Sequence, residues 1–198
     1  MKRLVAFGCS YTHGSCIGNT SMRTPPSDKA WPTVLARKMG RQVENCAQPG
    51  ASQLQILWSI LNFAFEPSDV CVIMWSHFNR SCIFAKSGLI QLDFGLPKRL
   101  EKNWLKTHTE YDHEIHNCIN IHHAEQHLKA LNIENFYHIF GGDTDDRQKM
   151  HPVTPVTNVI DVEFENIDHG SDGFHPGPLA NALLAARVYD KIKNKDTL

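Results

Sequence analysis

The chain has 198 residues, of which 41% are apolar and 21% charged, the makeup of a soluble globular protein able to bury a sizeable core as one domain over residues 1–198. A formal net charge of −1 gives no electrostatic case for a nucleic acid or an anionic membrane as partner. No apolar run reaches the roughly 18 residues of a membrane span. The apolar stretch after Met1-Lys2-Arg3 stops at Gly8, too early for a signal peptide, so a cytoplasmic location, or release without a signal, is expected.

Residues 2–7 mix apolar and β-branched types and read as a short buried strand that runs into Gly8. Residues 15–28 are polar, contain Pro25-Pro26 and read as a surface loop. Ser27 or Asp28 is a candidate cap for a helix over 29–39, ended by Gly40, with Trp31, Val34, Leu35 and Met39 on its buried face. A second short strand spans 42–46, and Ala47-Gln48-Pro49-Gly50 forms a tight connection. Helix two is expected over 52–65, with Leu54, Leu57, Trp58, Leu61 and Phe65 inward. Residues 70–75 are almost continuously apolar, as in a central parallel strand covered on both faces.

The stretch 76–105 is less regular, and 83–94 suits a hairpin or a loop packed over the sheet. Helical spacing returns over 111–131 through Ile115, Ile119, Ala124, Leu128 and Leu131, with Asn132 as the stop. Residues 136–140 read as a fourth strand, 143–157 as a loop and 159–162 as a short strand. The last helix begins near Pro178, a residue suited to the first helical position, and Leu179, Leu183, Ala186, Val188 and Ile192 supply its apolar face. Strands alternating with helices predict a parallel sheet with helices on both faces, a three-layer α/β/α sandwich.

The six cysteines, Cys9, Cys16, Cys46, Cys71, Cys82 and Cys118, show no framework spacing and read as free thiols, with Cys46 and Cys71 as small core residues.

Two short segments carry chemistry. Ser10 follows the first strand by a glycine turn, at the sheet end where open α/β folds place their sites. Serine needs a base and an orienting acid to act as a nucleophile. Asp172 and His175, three residues apart before the last helix, supply such a pair: a carboxylate at that spacing reaches back to Nδ1 and leaves Nε2 free to take a serine proton. Cys9 alternates away from Ser10 along the strand and is not the nucleophile.

Taken together, Gly8-x-Ser10 and Asp172-Gly-Phe-His-Pro-Gly177 resemble the SGNH/GDSL hydrolase family. The resemblance extends to residues 29–40, similar to the family's first helix, and to residues 45–52, similar to its second block. It implies a flavodoxin-like α/β/α sandwich and hydrolysis of carboxylic esters, often small acyl groups on carbohydrates or lipids, without metal or organic cofactor. By the same resemblance Ser10 is the nucleophile, His175 the base and Asp172 its partner. The N–H groups of Ser10 and Gly50 are two oxyanion donors. The family's third donor, an asparagine after the third strand, falls in Trp75-Ser-His-Phe-Asn-Arg80, which departs from the family pattern; Asn79, Ser76 or a backbone N–H is the candidate. The first block departs too, with Cys9 and Tyr11 where the family has Asp and Leu. An acyltransferase using the same triad, and a binding module that has lost turnover, are the competing readings.

Twelve histidines are many for this length. His13 and His77 lie on loops at the expected site and either line the substrate pocket or sit at the surface. Arg80 follows the third strand and would bind a substrate carboxylate or phosphate, or pair with Asp143, Asp145 or Asp146. His108, His113, His116, His122, His123 and His127 cluster on or near one helix. His123 and His127 share a face there, as a transition-metal pair would, although a solvated helix face is the simpler expectation.

Overall fold

A computed structural model describes residues 2–18, 24–77, 80–86, 88–91, 110–140, 156–165 and 167–195. Four parallel strands form the main sheet: β1 (Arg3–Phe7), β2 (Gln42–Asn45), β3 (Val70–Trp75) and β6 (Phe136–Phe140), in the order β2-β1-β3-β6. The expected hairpin exists as β4 (Cys82–Ala85) paired antiparallel with β5 (Gly88–Gln91). The helices are α1 (Ser10–His13), α2 (Trp31–Lys38), α3 (Gln53–Leu61), α4 (Glu110–Ala130) and α5 (Pro178–Lys195).

The strand side chains alternate between two cores, as a period of two requires. Val5, Phe7, Cys71, Ile73, Trp75, Phe136 and Phe140 pack under α3 and α4 with Ile56, Ile60, Ile121 and Leu128. Leu4, Ala6, Val70, Val72, Met74, Tyr137 and Ile139 pack under α2 and α5 with Trp31, Leu35, Leu184 and Val188. The result is the three-layer α/β/α arrangement with a parallel sheet expected from the sequence. Cys71 is fully buried, Cys46 packs at the edge of the first core, and all six cysteines are free thiols.

Several expectations need correction. On α3, Trp58 and Leu61 are exposed, and Ile56, Leu57 and Ile60 point inward. The helix is rotated because Gln53, a polar residue, takes an inner position: its side-chain amide donates to the Ser76 carbonyl and accepts from the Ser76 N–H at 3.0 Å. Trp58 instead packs on Phe84 of the hairpin, ring centroids 5.0 Å apart. On α4, Ile119 is exposed, while Asn117 and Glu125 are buried. On α5, Leu179 is exposed and Ala180, Asn181 and Leu184 face the core. Residues 159–162 do not form a strand. Val159 makes a single parallel bridge to His138 after Asn158 turns into the left-handed region, φ 54°.

The starts of α2 and α5 are held by remote side chains. Ala30, not Ser27 or Asp28, is the N-cap of α2 and offers no side-chain acceptor. Asn181 Oδ1 accepts from Trp31 N at 3.0 Å in its place. The Asn181 amide also donates to the carbonyls of Pro176 and Gly177, at 3.1 and 2.9 Å. Asp168 caps α5 by accepting from Leu179 N and Ala180 N, at 2.9 and 2.8 Å. Asn181→Ala strands one buried donor and leaves two carbonyls without this partner, so urea unfolding is expected to show a loss of about 2–3 kcal/mol.

Candidate active site

The chain leaves β1 through Gly8 and Cys9 into the single turn of α1. Register pairs Phe7 with Ile73, so Ser10 and Ser76 emerge at matching levels beyond adjacent parallel strands. This is the C-terminal edge of the sheet where the strand order reverses about β1, the place where such sheets put their ligands. Ser10 is 3% exposed. Its carbonyl accepts from Gly14 N and Ser15 N, both at 3.0 Å. Its own N–H belongs to the first turn of a helix, where backbone donors have no intrahelical partner.

The second half of the site is the turn before α5. His175 Nδ1 lies 2.5 Å from Asp172 Oδ2. Asp172 Oδ1 accepts from Phe174 N at 3.1 Å and His175 N at 3.0 Å. Burial works against the Asp172 charge, but these donors outweigh it and hold the carboxyl well below the usual carboxylate range. The carboxylate thereby directs the Nδ1 proton, and Nε2 makes no hydrogen bond among the described residues.

The two halves meet through residues the sequence reading left aside. The Tyr11 ring stands edge-on to His175 at 5.5 Å, to Phe164 at 5.5 Å and to His77 at 6.4 Å. Cys16 takes a left-handed backbone, φ 65°, and its carbonyl accepts from Ser171 N at 2.7 Å. A Cβ on Gly170 would come within 2.6 Å of that carbonyl oxygen. Burial, with the Asp172 carboxylate beside it, pushes the Cys16 thiol up. Donor atoms of Cys16, Asp172 and His175 all lie within 4.8 Å of one another. Among the described residues no hydrogen bond joins Ser10 Oγ to His175; Tyr11 and Cys16 bring the two turns to the same place. No sequence motif marks either residue, since one replaces the family's usual Leu and the other lies in a loop.

The remaining candidates divide. Gly50 is half-buried with φ 78°, just before Ser52, whose hydroxyl accepts from Gln55 N at the start of α3. His77 lies at the site beside Tyr11. Arg80 donates to Ser76 Oγ at 2.9 Å, which places its guanidinium at the end of β3. Asn79, His108 and Asp143, Asp145 and Asp146 lie outside the described residues, as does the side chain of His113. The expectation for His13 is corrected: it is only 4% exposed, and both ring nitrogens are engaged, Nε2 with Thr24 O at 3.0 Å and Nδ1 with Ser15 Oγ at 3.1 Å. It ties its own loop together instead of lining a pocket or the surface. On α4, His123 is exposed and His127 half-buried, and among the described residues neither belongs to a group of three metal donors.

A depressed carboxyl adds stability that is complete above its unfolded value and is lost as pH falls toward its folded value. The stability difference between the wild type and Asp172→Asn is therefore expected to be full above about pH 4 and to shrink steadily on acidification below it. Urea midpoints across that range measure it.

No family model matches the sequence, and no curated protein matches it. Solved structures do. An acetyl xylan esterase from the rumen bacterium Butyrivibrio proteoclasticus aligns with 98% of this chain at TM-score 0.63 and 12% identity. This chain spans 64% of that esterase's length. An esterase from Pseudoalteromonas sp. aligns over 99% of both chains at TM-score 0.58 and 11% identity. A Bacteroides uniformis protein described as a GDSL-like lipase aligns over 98% of this chain and 96% of its own, at TM-score 0.59 and 13% identity. At these identities the likeness is one of architecture, and the chain has the fold of the SGNH/GDSL hydrolases.

Proposed function

We propose that the protein is a serine esterase that cleaves a carboxylic ester through Ser10, His175 and Asp172. The observation that carries this reading is the Asp172–His175 pair, held at 2.5 Å with Nε2 making no hydrogen bond among the described residues, on a turn tied to the segment after the Ser10 turn. Asp172 fixes the tautomer in which Nε2 is the acceptor. Substrate binding brings Ser10 Oγ under Nε2, since such contacts tighten in the Michaelis complex. His175 takes the Ser10 proton as Oγ attacks the ester carbonyl and returns it to the leaving alcohol. Water, deprotonated by the same imidazole, then cleaves the acyl-enzyme.

The oxyanion sits against the Ser10 and Gly50 N–H groups. Asn79 is the third donor, with the Ser76 hydroxyl as the alternative; losing a donor costs on the order of a hundredfold in rate. Tyr11 and His77 line the substrate cleft, and Arg80 borders it. The substrate class is a small acyl group on a carbohydrate or lipid hydroxyl, in keeping with the esterases that share the fold.

A fluorophosphonate probe is expected to label Ser10 in the wild type and to label neither Ser10→Ala nor His175→Ala, with peptide mapping as the readout. Acetyl ester hydrolysis should fall by about a millionfold in Ser10→Ala and by on the order of ten-thousandfold in Asp172→Asn, which mis-sets the tautomer. Absence of labelling in folded wild type overturns the esterase reading in favour of a binding module. Acyl transfer to added sugars in preference to water would make it a transferase.

A further inference from the structure

We propose that Cys16, Asp172 and His175 form a binding site for a soft or borderline divalent cation of the zinc class, and that the bound cation switches the acid–base pair off. The site itself stands on geometry alone; only its inhibitory effect rests on the esterase reading above. The three residues offer one sulfur, one oxygen and one nitrogen donor within 4.8 Å of one another. Zinc bonds of about 2.0–2.3 Å in a tetrahedron place donors about 3–4 Å apart. Asp172 and His175, 2.5 Å apart, must therefore separate slightly, and any donor pair near the 4.8 Å limit must close by about 1 Å. Three protein donors leave the fourth position to water, the arrangement of an open zinc site.

The donors come from two turns that are already locked together. Cys16 is held in the left-handed region with its carbonyl on Ser171 N, and Gly170 lies against that same carbonyl. Asp172 Oδ1 is fixed by two backbone N–H groups, which leaves Oδ2 on the side of the imidazole. A non-glycine residue persists in such a backbone only where its surroundings determine it, and those positions gather at functional sites.

Binding balances simply. The Cys16 thiol releases its proton to solvent as the sulfur–metal bond forms. The Asp172–His175 hydrogen bond is replaced by one bond from each partner to the cation. His175 then binds through Nδ1, so its ring proton resides on Nε2. An imidazole protonated there cannot take the Ser10 proton, and the esterase stops without any change in Ser10 itself.

Cobalt(II) added to the metal-free protein is expected to give a thiolate-to-cobalt charge-transfer band at one equivalent, displaced by zinc(II). Loss of an outer-shell partner alone costs up to about a hundredfold in metal affinity. Cys16→Ala should therefore lose the band and weaken zinc binding by at least about that factor, while Ser10→Ala and the double variant His123→Ala/His127→Ala retain both. Cys16→Ser, which keeps a polar side chain at this position, serves if Cys16→Ala does not fold, and should lose the sulfur band as well. Zinc should inhibit wild-type ester hydrolysis reversibly by chelator, and Cys16→Ala should lose that inhibition relative to its own rate. A missing band, or zinc affinity that follows His123 and His127 instead of Cys16, overturns the proposal. A Cys16-dependent band in a protein whose Ser10 is never labelled would keep the metal site and remove the esterase.

Discussion

At Gly8 the chain has no room for a side chain. A Cβ there would stand 2.2 Å from Thr12 Oγ1 and 2.9 Å from the Met74 carbonyl oxygen. The first contact is with the turn of α1 and the second with the neighbouring strand, so α1 folds back tightly against the β1–β3 seam. That close approach puts Ser10 at the sheet's C-terminal edge instead of in a loop above it. Asn45 reinforces the placement from the other side, its amide donating to Thr12 O at 2.8 Å and its carbonyl accepting from Ala47 N at 3.1 Å. The strand neighbours of β1 thus fix both the serine turn and the start of the loop that carries Gly50.

His175 arrives from the opposite end of the chain, and weak individual links hold it there. Asn181 joins the start of α2 to the turn at Pro176 and Gly177, and Asp168 closes the base of the same turn by capping α5. Cys16 and Ser171 then join that turn to the segment after α1. Each is a modest hydrogen bond, worth about 1 kcal/mol when water competes. Their value lies in being shared: every link removes freedom from a segment that another link also holds. His175 is consequently positioned by the packing of α2 on α5 as well as by Asp172.

The alternation of strands and helices was legible because period-two and period-3.6 patterns are imposed by burial, and burial dominates the main sheet. The Asp172–His175 contact was legible too, because its spacing is local. What periodicity misjudged were faces on which a polar residue is buried for a specific partner. Gln53 clamps Ser76 and turns α3; Asn117 and Glu125 occupy the inside of α4; Asn181 does the same on α5. Hydropathy assigns such residues to solvent and the neighbouring Trp58, Ile119 and Leu179 inward. The contacts of Tyr11 and Cys16 were not legible for a different reason: they are long-range, and nothing in the local sequence marks them.

The histidines show how little residue type decides. Trp75 Nε1 donates to His138 Nδ1 at 3.0 Å, which leaves the neutral ring's proton on Nε2, 3.6 Å from Glu125 Oε2. Burial opposes the charge of Glu125, but Lys129 and Thr157 overcome it and hold the carboxyl below its ordinary value. His138 Nδ1 is therefore taken up as an acceptor inside the sheet. His13 is held in the same tautomer, because the Thr24 carbonyl can only accept from Nε2–H. Burial lowers the pKa of His13 and outweighs the Thr24 carbonyl, which raises it. At His175 the carboxylate of Asp172 stands at Nδ1, so the proton is drawn there and Nε2 becomes the acceptor. The three rings differ in the group that faces Nδ1: the Trp75 N–H at His138, the Ser15 hydroxyl at His13 and the Asp172 carboxylate at His175.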